Sequence, residues 1–395
     1  MNVSFASRMN GLQASAIREI LKFTADPEVV SFAAGNPAPE AFPVDVVSEL
    51  TAKILKDQPI TALQYGVTEG YAPLRALLKS DLKTRHGLGE SFDDLIITSG
   101  AQQAIELSCK VLCNPGDTLL CENPSFIGSL NSFRSYEVNL CGVPVESDGI
   151  NIDALEEAMK QNPNAKLLYV IPNFQNPSGV TMSLEKRKAV YALCVKYGVM
   201  ILEDNPYGEL RFAGEEVPSI KSLDTEGIVL YVGSFSKVLS PGLRVGYLLA
   251  PSEVIQKVVV CKQGSDVHSA MLSQMICHSF MNDTDFIGHL SSLRAIYRHK
   301  SSLMIDGLRQ YLNPAITFDE PEGGLFLWCK LPDGVDMPAF CLNAVKNKVA
   351  VVPGSAFMPR DTDKTQCFRL NYSTPTDEQL KKGVKILGEL SHSLL

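Results

Sequence analysis

The sequence predicts an α/β fold, and three apolar runs carry the prediction. Residues 167–171, 199–202 and 228–232 lack the alternation of a half-exposed strand. Such runs fit strands buried on both faces of a sheet. Between the first two, residues 183–198 read as a helix, with Ser183 as N-cap and Gly198 as the C′ residue after Lys196. Polar residues follow each run at once. Asn176 stands beyond the first, Asp204 and Tyr207 beyond the second, and Ser234, Ser236, Lys237 and Arg244 beyond the third. In open α/β sheets, ligands bind at the carboxyl ends of the strands.

Length and composition narrow the function classes. A chain of 395 residues exceeds one ordinary core and predicts two domains, or one large domain with a lobe. The net charge of −8 argues against a nucleic-acid partner, and no apolar run is long enough to cross a membrane. The N-terminus lacks the basic-then-apolar order of a secretory signal. Ten cysteines are scattered without a CxxC pair, so they read as reduced core thiols of a cytoplasmic protein. Six histidines show no ligand spacing, so no metal site is expected.

Taken in order, residues 15–23 read as a short helix with Ile17, Ile20 and Leu21 on one face. Arg18 lies off that face, as a solvated charge or a group free to meet a ligand. Residues 29–43 form a short strand and a Gly/Pro-rich turn, where Gly35 either completes the turn or lets backbone approach a ligand. Residues 44–57 read as a helix, and 64–75 as a loop leading into the next. Residues 94–98 are a strand and 101–113 a helix. Gly100, Ala101 and Gln102 stand at the junction, where free N–H groups and the helix dipole suit an anion. Residues 118–122 are a further strand, leading into a loop that contains Phe126. Beyond a strand at 246–250 and a helix lies the segment 262–269, where His268 reads as structural. Residues 286–312 form a long helix. Strands at 323–331, 349–357 and 367–372 then give an α+β region, and the last helix opens at Thr376 with Gln379 as a capping box. Arg369 sits mid-strand among apolar neighbours, where an uncompensated charge is costly, so it needs an anion.

The stretch from Gly233 to Tyr247 joins two chemistries. Hydroxyls at Ser234 and Ser236 and the guanidinium of Arg244, set beyond a Pro241-Gly242 turn, suit a phosphate dianion. The adjacent Lys237 amine can form a Schiff base with an aldehyde. Pyridoxal 5′-phosphate (PLP) needs both. Asp204 can pair with a pyridine nitrogen and keep it protonated. Asn176 and Tyr207 can hydrogen-bond the phenolic oxygen.

With Asn176, Asp204 and Lys237 in this order, the chain resembles the fold-type I PLP-dependent aminotransferases of class I/II. The Gln64-Tyr65-Gly66 and Glu69-Gly70-Tyr71 elements, residues 173–177 and residues 17–21 are similar to the 2-aminoadipate and kynurenine aminotransferase-like subgroup. The resemblance implies a large domain at 44–285 with a mainly parallel seven-stranded sheet between helices. It also implies a small α+β domain at 286–395 and an N-terminal segment, 1–43, joining the small domain and the active site. It further implies a homodimer with active sites at the subunit interface, where Tyr65 reaches the partner's cofactor phosphate and the 262–269 region lies near the partner's cofactor. Phe126 stands where the family usually stacks an aromatic on the pyridine ring, and is otherwise a core phenylalanine. Arg369 matches the arginine that forks the substrate α-carboxylate.

The expected activity is transfer of an amino group from 2-aminoadipate, a kynurenine-like or aromatic amino acid, or a large aliphatic one. The expected acceptor is 2-oxoglutarate, in a ping-pong cycle. Lys237 holds the cofactor, then shuttles the proton between Cα and C4′. Arg18 is the candidate to meet a distal carboxylate. Two other readings share the scaffold. A β-elimination lyase differs only in pocket geometry. The effector-sensing domain of a GntR-type regulator carries a DNA-binding module in front, whereas here the scaffold begins within about 30 residues.

Overall fold

A computed structural model describes residues 3–12 and 26–394. In chain order the first strands are β1 (Val30–Ser31), β2 (Asp93–Thr98), β3 (Thr118–Asn123), β4 (Asn139–Glu146), β5 (Gly149–Ile150), β6 (Ala165–Val170) and β7 (Met200–Asp204). They continue with β8 (Val229–Ser234), β9 (Gly246–Pro251), β10 (Thr317–Phe318), β11 (Phe326–Lys330), β12 (Val349–Ala350), β13 (Val352–Pro353) and β14 (Cys367–Asn371). The main sheet has the order β2-β9-β8-β7-β6-β3-β4-β5. Strands β8, β7, β6, β3 and β4 run parallel, and β9 runs against both β2 and β8.

The sheet is therefore eight-stranded, not the seven-stranded one expected. The extra strand, β5, is the two-residue return of a hairpin at the edge, pairing Val145 with Ile150 and Glu146 with Gly149. Two residues give no apolar run to read. The three predicted runs are β6, β7 and β8, and their core residues Leu167, Leu168, Ile201, Leu202, Val229 and Leu230 are fully buried. The helix between β6 and β7, Leu184–Tyr197, has its caps where expected. The Ser183 side chain accepts from the Lys186 N–H, and Gly198 takes the left-handed conformation. The last helix, Asp377–Leu394, opens on the reciprocal pair of a capping box: Thr376 N–H to Gln379 Oε1 at 2.9 Å and Gln379 N–H to Thr376 Oγ1 at 3.2 Å.

A second, four-stranded sheet has the order β10-β11-β14-β13 and is antiparallel throughout. Arg369 on β14 lies between Trp328 of β11 and Val352 of β13. Strand β1 pairs in parallel with β12, and Asn371 N–H donates to Phe32 O at 2.8 Å. These pairings bring residues 30–33 against the end of β14, where Arg369 donates to Ala33 O at 2.7 Å from far along the sequence. The predicted helix at residues 15–23, and Arg18 with it, lies outside the described residues.

One buried ion cluster pins the starts of β2 and β8. Lys221 is enclosed, and its Nζ donates to Asp93 at 2.8 Å, to Asp224 at 2.9 Å and to Val229 O at 2.9 Å. Two buried carboxylates facing one ammonium cost little together and much when the cation is removed. Lys221→Met is expected to lower unfolding stability by about 3–5 kcal/mol, read from urea denaturation with an unchanged slope. A loss below about 1 kcal/mol, the worth of a surface pair, would mean that the cluster is not buried in solution.

Candidate active site

The five parallel strands and β2 point their carboxyl ends to one side, and the predicted polar residues collect there. At the end of β2 the chain passes through Gly100, whose φ of 76° only glycine adopts without strain, into the helix Ala101–Leu112. The first N–H groups of a helix have no partner inside it. Two more constraints shape this corner. A Cβ on Gly100 would lie 2.4 Å from the Arg244 guanidinium, and one on Gly246 would lie 2.6 Å from the Ala101 nitrogen. Arg244 sits in the left-handed region at φ 54° and donates through Nη2 to Ser99 O at 3.2 Å. The Ser236 N–H donates to Ser234 Oγ at 3.1 Å, folding the lysine loop toward the same corner. Helix N–H groups, serine hydroxyls and a guanidinium thus converge on a space suited to a dianion. The Gln102 side chain points elsewhere: it donates to Gly128 O and Ser132 Oγ, leaving its backbone N–H for an anion.

A polar cluster behind this corner escaped the sequence reading. Ser99 Oγ donates to Asp266 at 2.7 Å and lies 2.9 Å from Ser269 Oγ. The fully buried Lys262 reaches Gln103, Asp266 and Ser269 at 2.7, 2.8 and 3.0 Å. Within their own chain, residues of the 262–269 segment brace the Ser99 turn.

Asp204 ends β7 and is buried. Its Oδ2 accepts from the Tyr169 hydroxyl at 2.7 Å, and that hydroxyl accepts from Ser129 at 2.8 Å. Its Oδ1 is buried with no hydrogen-bond partner among the described residues. Burial raises the Asp204 carboxyl to about 7, against the opposing pull of the Tyr169 hydrogen bond. A protonated pyridine N–H at Oδ1 would supply both the missing donor and the countercharge that favours the carboxylate. Phe126 stands at the N-cap position of the helix Ile127–Arg134, beyond the end of β3, and is half-buried. Tyr169 was missed, although a phenol inside a buried strand must find an acceptor.

On the other side of the site, the Lys237 ammonium donates to Gly35 O at 2.6 Å. Burial, with Arg369 and Arg244 nearby, lowers its pKa to about 8. Tyr207 and Asn176 are both buried, with Asn176 Nδ2 3.5 Å from the Tyr207 hydroxyl. Arg369 donates to Asn176 Oδ1 at 2.8 Å and to Ala33 O at 2.7 Å, while its buried Nε has no partner among the described residues. Its guanidinium lies 4.2 Å from the Phe326 ring centre and 4.8 Å from that of Phe357. Burial lowers its pKa to about 10.

The structure therefore gathers Gly35, Asn176, Tyr207, Lys237 and Arg369 on one side and Gly100, Ser234, Ser236 and Arg244 on the other. It does not bring Tyr65 to them. That side chain is 81% exposed, and its ring meets the edge of His268 at 5.7 Å.

Comparison with known proteins agrees with this geometry. The family model "Aminotransferase class I and II" matches residues 27–387. Aromatic-amino-acid aminotransferase 1 of Thermococcus litoralis is 39% identical over 390 residues, 98% of this chain and 93% of its own. The α-aminoadipate aminotransferase of Thermus thermophilus, solved with N-(5′-phosphopyridoxyl)-L-leucine, superposes with a TM-score of 0.90 at 38% identity over 99% of this chain and 97% of its own. The kynurenine aminotransferase of Pyrococcus horikoshii superposes with a TM-score of 0.95 at 34% identity, with the same coverage. The Gly100 turn and the bare oxygen of Asp204 fit PLP as the cofactor, and the chain belongs to the class I and II aminotransferases, PLP-dependent enzymes of fold type I.

Proposed function

We propose that this aminotransferase takes amino groups from large α-amino acids, 2-aminoadipate and aromatic, kynurenine-like or large aliphatic ones, and gives them to 2-oxoglutarate. The surroundings of Arg369 carry the proposal. A buried guanidinium with no acidic partner among the described residues, a bare Nε and two aromatic rings beside it asks for a carboxylate joined to apolar bulk. The Thermococcus, Thermus and Pyrococcus relatives, named for aromatic amino acids, α-aminoadipate and kynurenine, support that substrate class.

Each residue has a role in this reading. Arg369 forks the α-carboxylate shared by donor and acceptor, and Asn176 fixes its orientation. Gly100, Ala101, Gln102, Ser234, Ser236 and Arg244 hold the phosphate, and Phe126 lies against the ring. PLP, when bound, supplies an aldehyde for an amine and an electron sink for the bond broken at Cα. Asp204 Oδ1 keeps the ring nitrogen protonated. Tyr207 and Asn176 donate to the phenolic oxygen. Lys237 Nζ, poised near neutrality by burial, takes the proton from the substrate Cα and returns it one atom further on.

The same reading extends to the whole molecule. Tyr65 belongs to an exposed apolar surface with Ile60, Leu63 and Val67, which supports a homodimer in which Tyr65 reaches the partner's phosphate. Residues 44–285 form the cofactor domain, 286–395 the small domain, and 1–43 a segment joining the small domain and the site. Ten free cysteines support a cytoplasmic location.

Three outcomes test the roles. Borohydride reduction of the yellow holoenzyme should fix a pyridoxyl group on Lys237 in peptide maps, and Lys237→Ala should carry none; a label on another lysine would refute the assignment. Asp204→Asn should retain PLP but lose at least ~100-fold in kcat, about 2.7 kcal/mol of barrier. An N1-methylated cofactor should restore part of the rate, and turnover within about threefold of wild type would remove the acid from the mechanism. Arg18→Ala should weaken 2-oxoglutarate and 2-aminoadipate by roughly 1.5–3 kcal/mol, the worth of a hydrogen bond to a charged group. Leucine and aromatic donors should be nearly unaffected in single-turnover half-reactions. Equal losses for acidic and apolar substrates would make Arg18 structural.

A further inference from the structure

The turn that presents Tyr207 is not held by packing alone. The chain reverses through a single 3-10 turn, Gly208–Leu210, so tight that a Cβ on Gly208 would fall 2.6 Å from the Asn205 side chain. Leu210 anchors its far end in the core. The other face of the turn borders a cavity of about 300 Å³ lined by Pro206, Gly208 and Glu209 together with Leu82, Phe235 and Tyr247. A loop backed by open space can shift into it, because no neighbouring atoms resist.

Glu209 closes that freedom with charge. Its Oε1 accepts from Arg85 Nη2 at 2.6 Å and lies 3.1 Å from His86 Nε2, both on the helix Ala72–His86. Its Oε2 accepts from Arg294 Nη2 at 3.0 Å, and its backbone carbonyl accepts from Arg294 Nε at 2.8 Å. Arg294 thus grips one residue by side chain and main chain at once, from the long helix Phe286–Tyr311. Asp81 holds Arg85 in place from behind, at 2.8 and 2.9 Å. Burial alone would raise the Glu209 carboxyl, but hydrogen bonds from His86 and Arg85 more than offset this and hold it at about 2. Among the bonds of these side chains, none goes to a residue assigned above to the cofactor or substrate.

We propose that Glu209 is a positioning residue: clamped by Arg85, His86 and Arg294, it fixes the turn that sets the Tyr207 hydroxyl against Asn176. Through Arg294 it ties that hydroxyl to the long helix. The proposal rests on the reading of Tyr207 as a donor to the phenolic oxygen of PLP.

The test uses holoenzyme and the pH titration of bound-PLP absorbance, which reports the proton on the lysine-linked nitrogen that is hydrogen-bonded to that oxygen. Donation by Tyr207 favours the deprotonated form, so its loss should raise the midpoint. Tyr207→Phe is expected to raise it by roughly one pH unit, the equivalent of a hydrogen bond to a charged group. Glu209→Ala should raise it in the same direction and lower kcat roughly tenfold. The double variant should shift no further than Tyr207→Phe alone, and Glu209→Gln, still an acceptor for Arg294, should recover part of the shift. Arg294→Met, from a partly exposed side chain, should act like Glu209→Ala and serves as the probe where that variant fails to fold. A wild-type midpoint in both Glu209→Ala and Arg294→Met, or additive shifts in the double variant, overturns the proposal. An unmoved midpoint in Tyr207→Phe itself identifies the reading of Tyr207 as the failure, and the Glu209 proposal falls with it.

Discussion

The carboxyl group of Asp204 is bonded on one oxygen and bare on the other, at the end of a strand with neighbours on both sides. A buried acid in that condition stays close to neutral unless a cation completes it. Much of the surrounding structure answers this constraint. Tyr169 and Ser129 form a relay that fixes the orientation of Oδ2 and leaves Oδ1 buried with no partner among the described residues. Glu122, on β3 and one strand removed from β7, is itself raised to about 8 by burial, despite bonds from the Ile171 N–H and Gln175. A second negative charge is thereby kept away from the first. The parallel sheet makes the arrangement possible, since only strands running the same way bring these ends together.

Much of this site was legible because its parts are local. A buried strand shows as an apolar run, and the polar residues behind it announce the carboxyl end. That logic located Asn176, Asp204, Tyr207 and Lys237 without coordinates. It failed where the signal is a spatial pairing across long sequence distance. Glu209 and Arg294 stand 85 positions apart, and Ser99 and Asp266 stand 167 apart. Each alone reads as a solvated charge or hydroxyl. Strand β5 failed for another reason: two residues carry no periodicity.

The molecule uses its charges in two distinct ways. Lys221 and Lys262 are enclosed and saturated, each with carboxylate and neutral acceptors in reach. Such clusters fix register and turn geometry, and removing one partner leaves an uncompensated charge. Arg187 belongs with them: fully buried, it is satisfied by the carbonyls of Met182, Pro172, Val217 and Pro218 and by Asn173. These groups lie behind the strand ends. The unsatisfied polar atoms at the site, Asp204 Oδ1 and Arg369 Nε, lie at them.

Arg369 makes that contrast energetic. A guanidinium between two phenyl rings, with only an amide and a carbonyl as acceptors, is less stable than the same group facing a carboxylate, and its lowered pKa records this. Hydrogen bonds to a carboxylate at this point would restore what burial removed. A substrate that lacks the α-carboxylate leaves the cation where it was, and so forgoes this gain. In the role proposed for Arg369, selection for α-amino and 2-oxo acids draws on this deficit, beside the rings of Phe326 and Phe357. The deficit is tolerable because β14 is held on both sides, by β11 and β13, and at its end by the Asn371 bond to Phe32. Local frustration at one residue is carried by the order of the sheet around it.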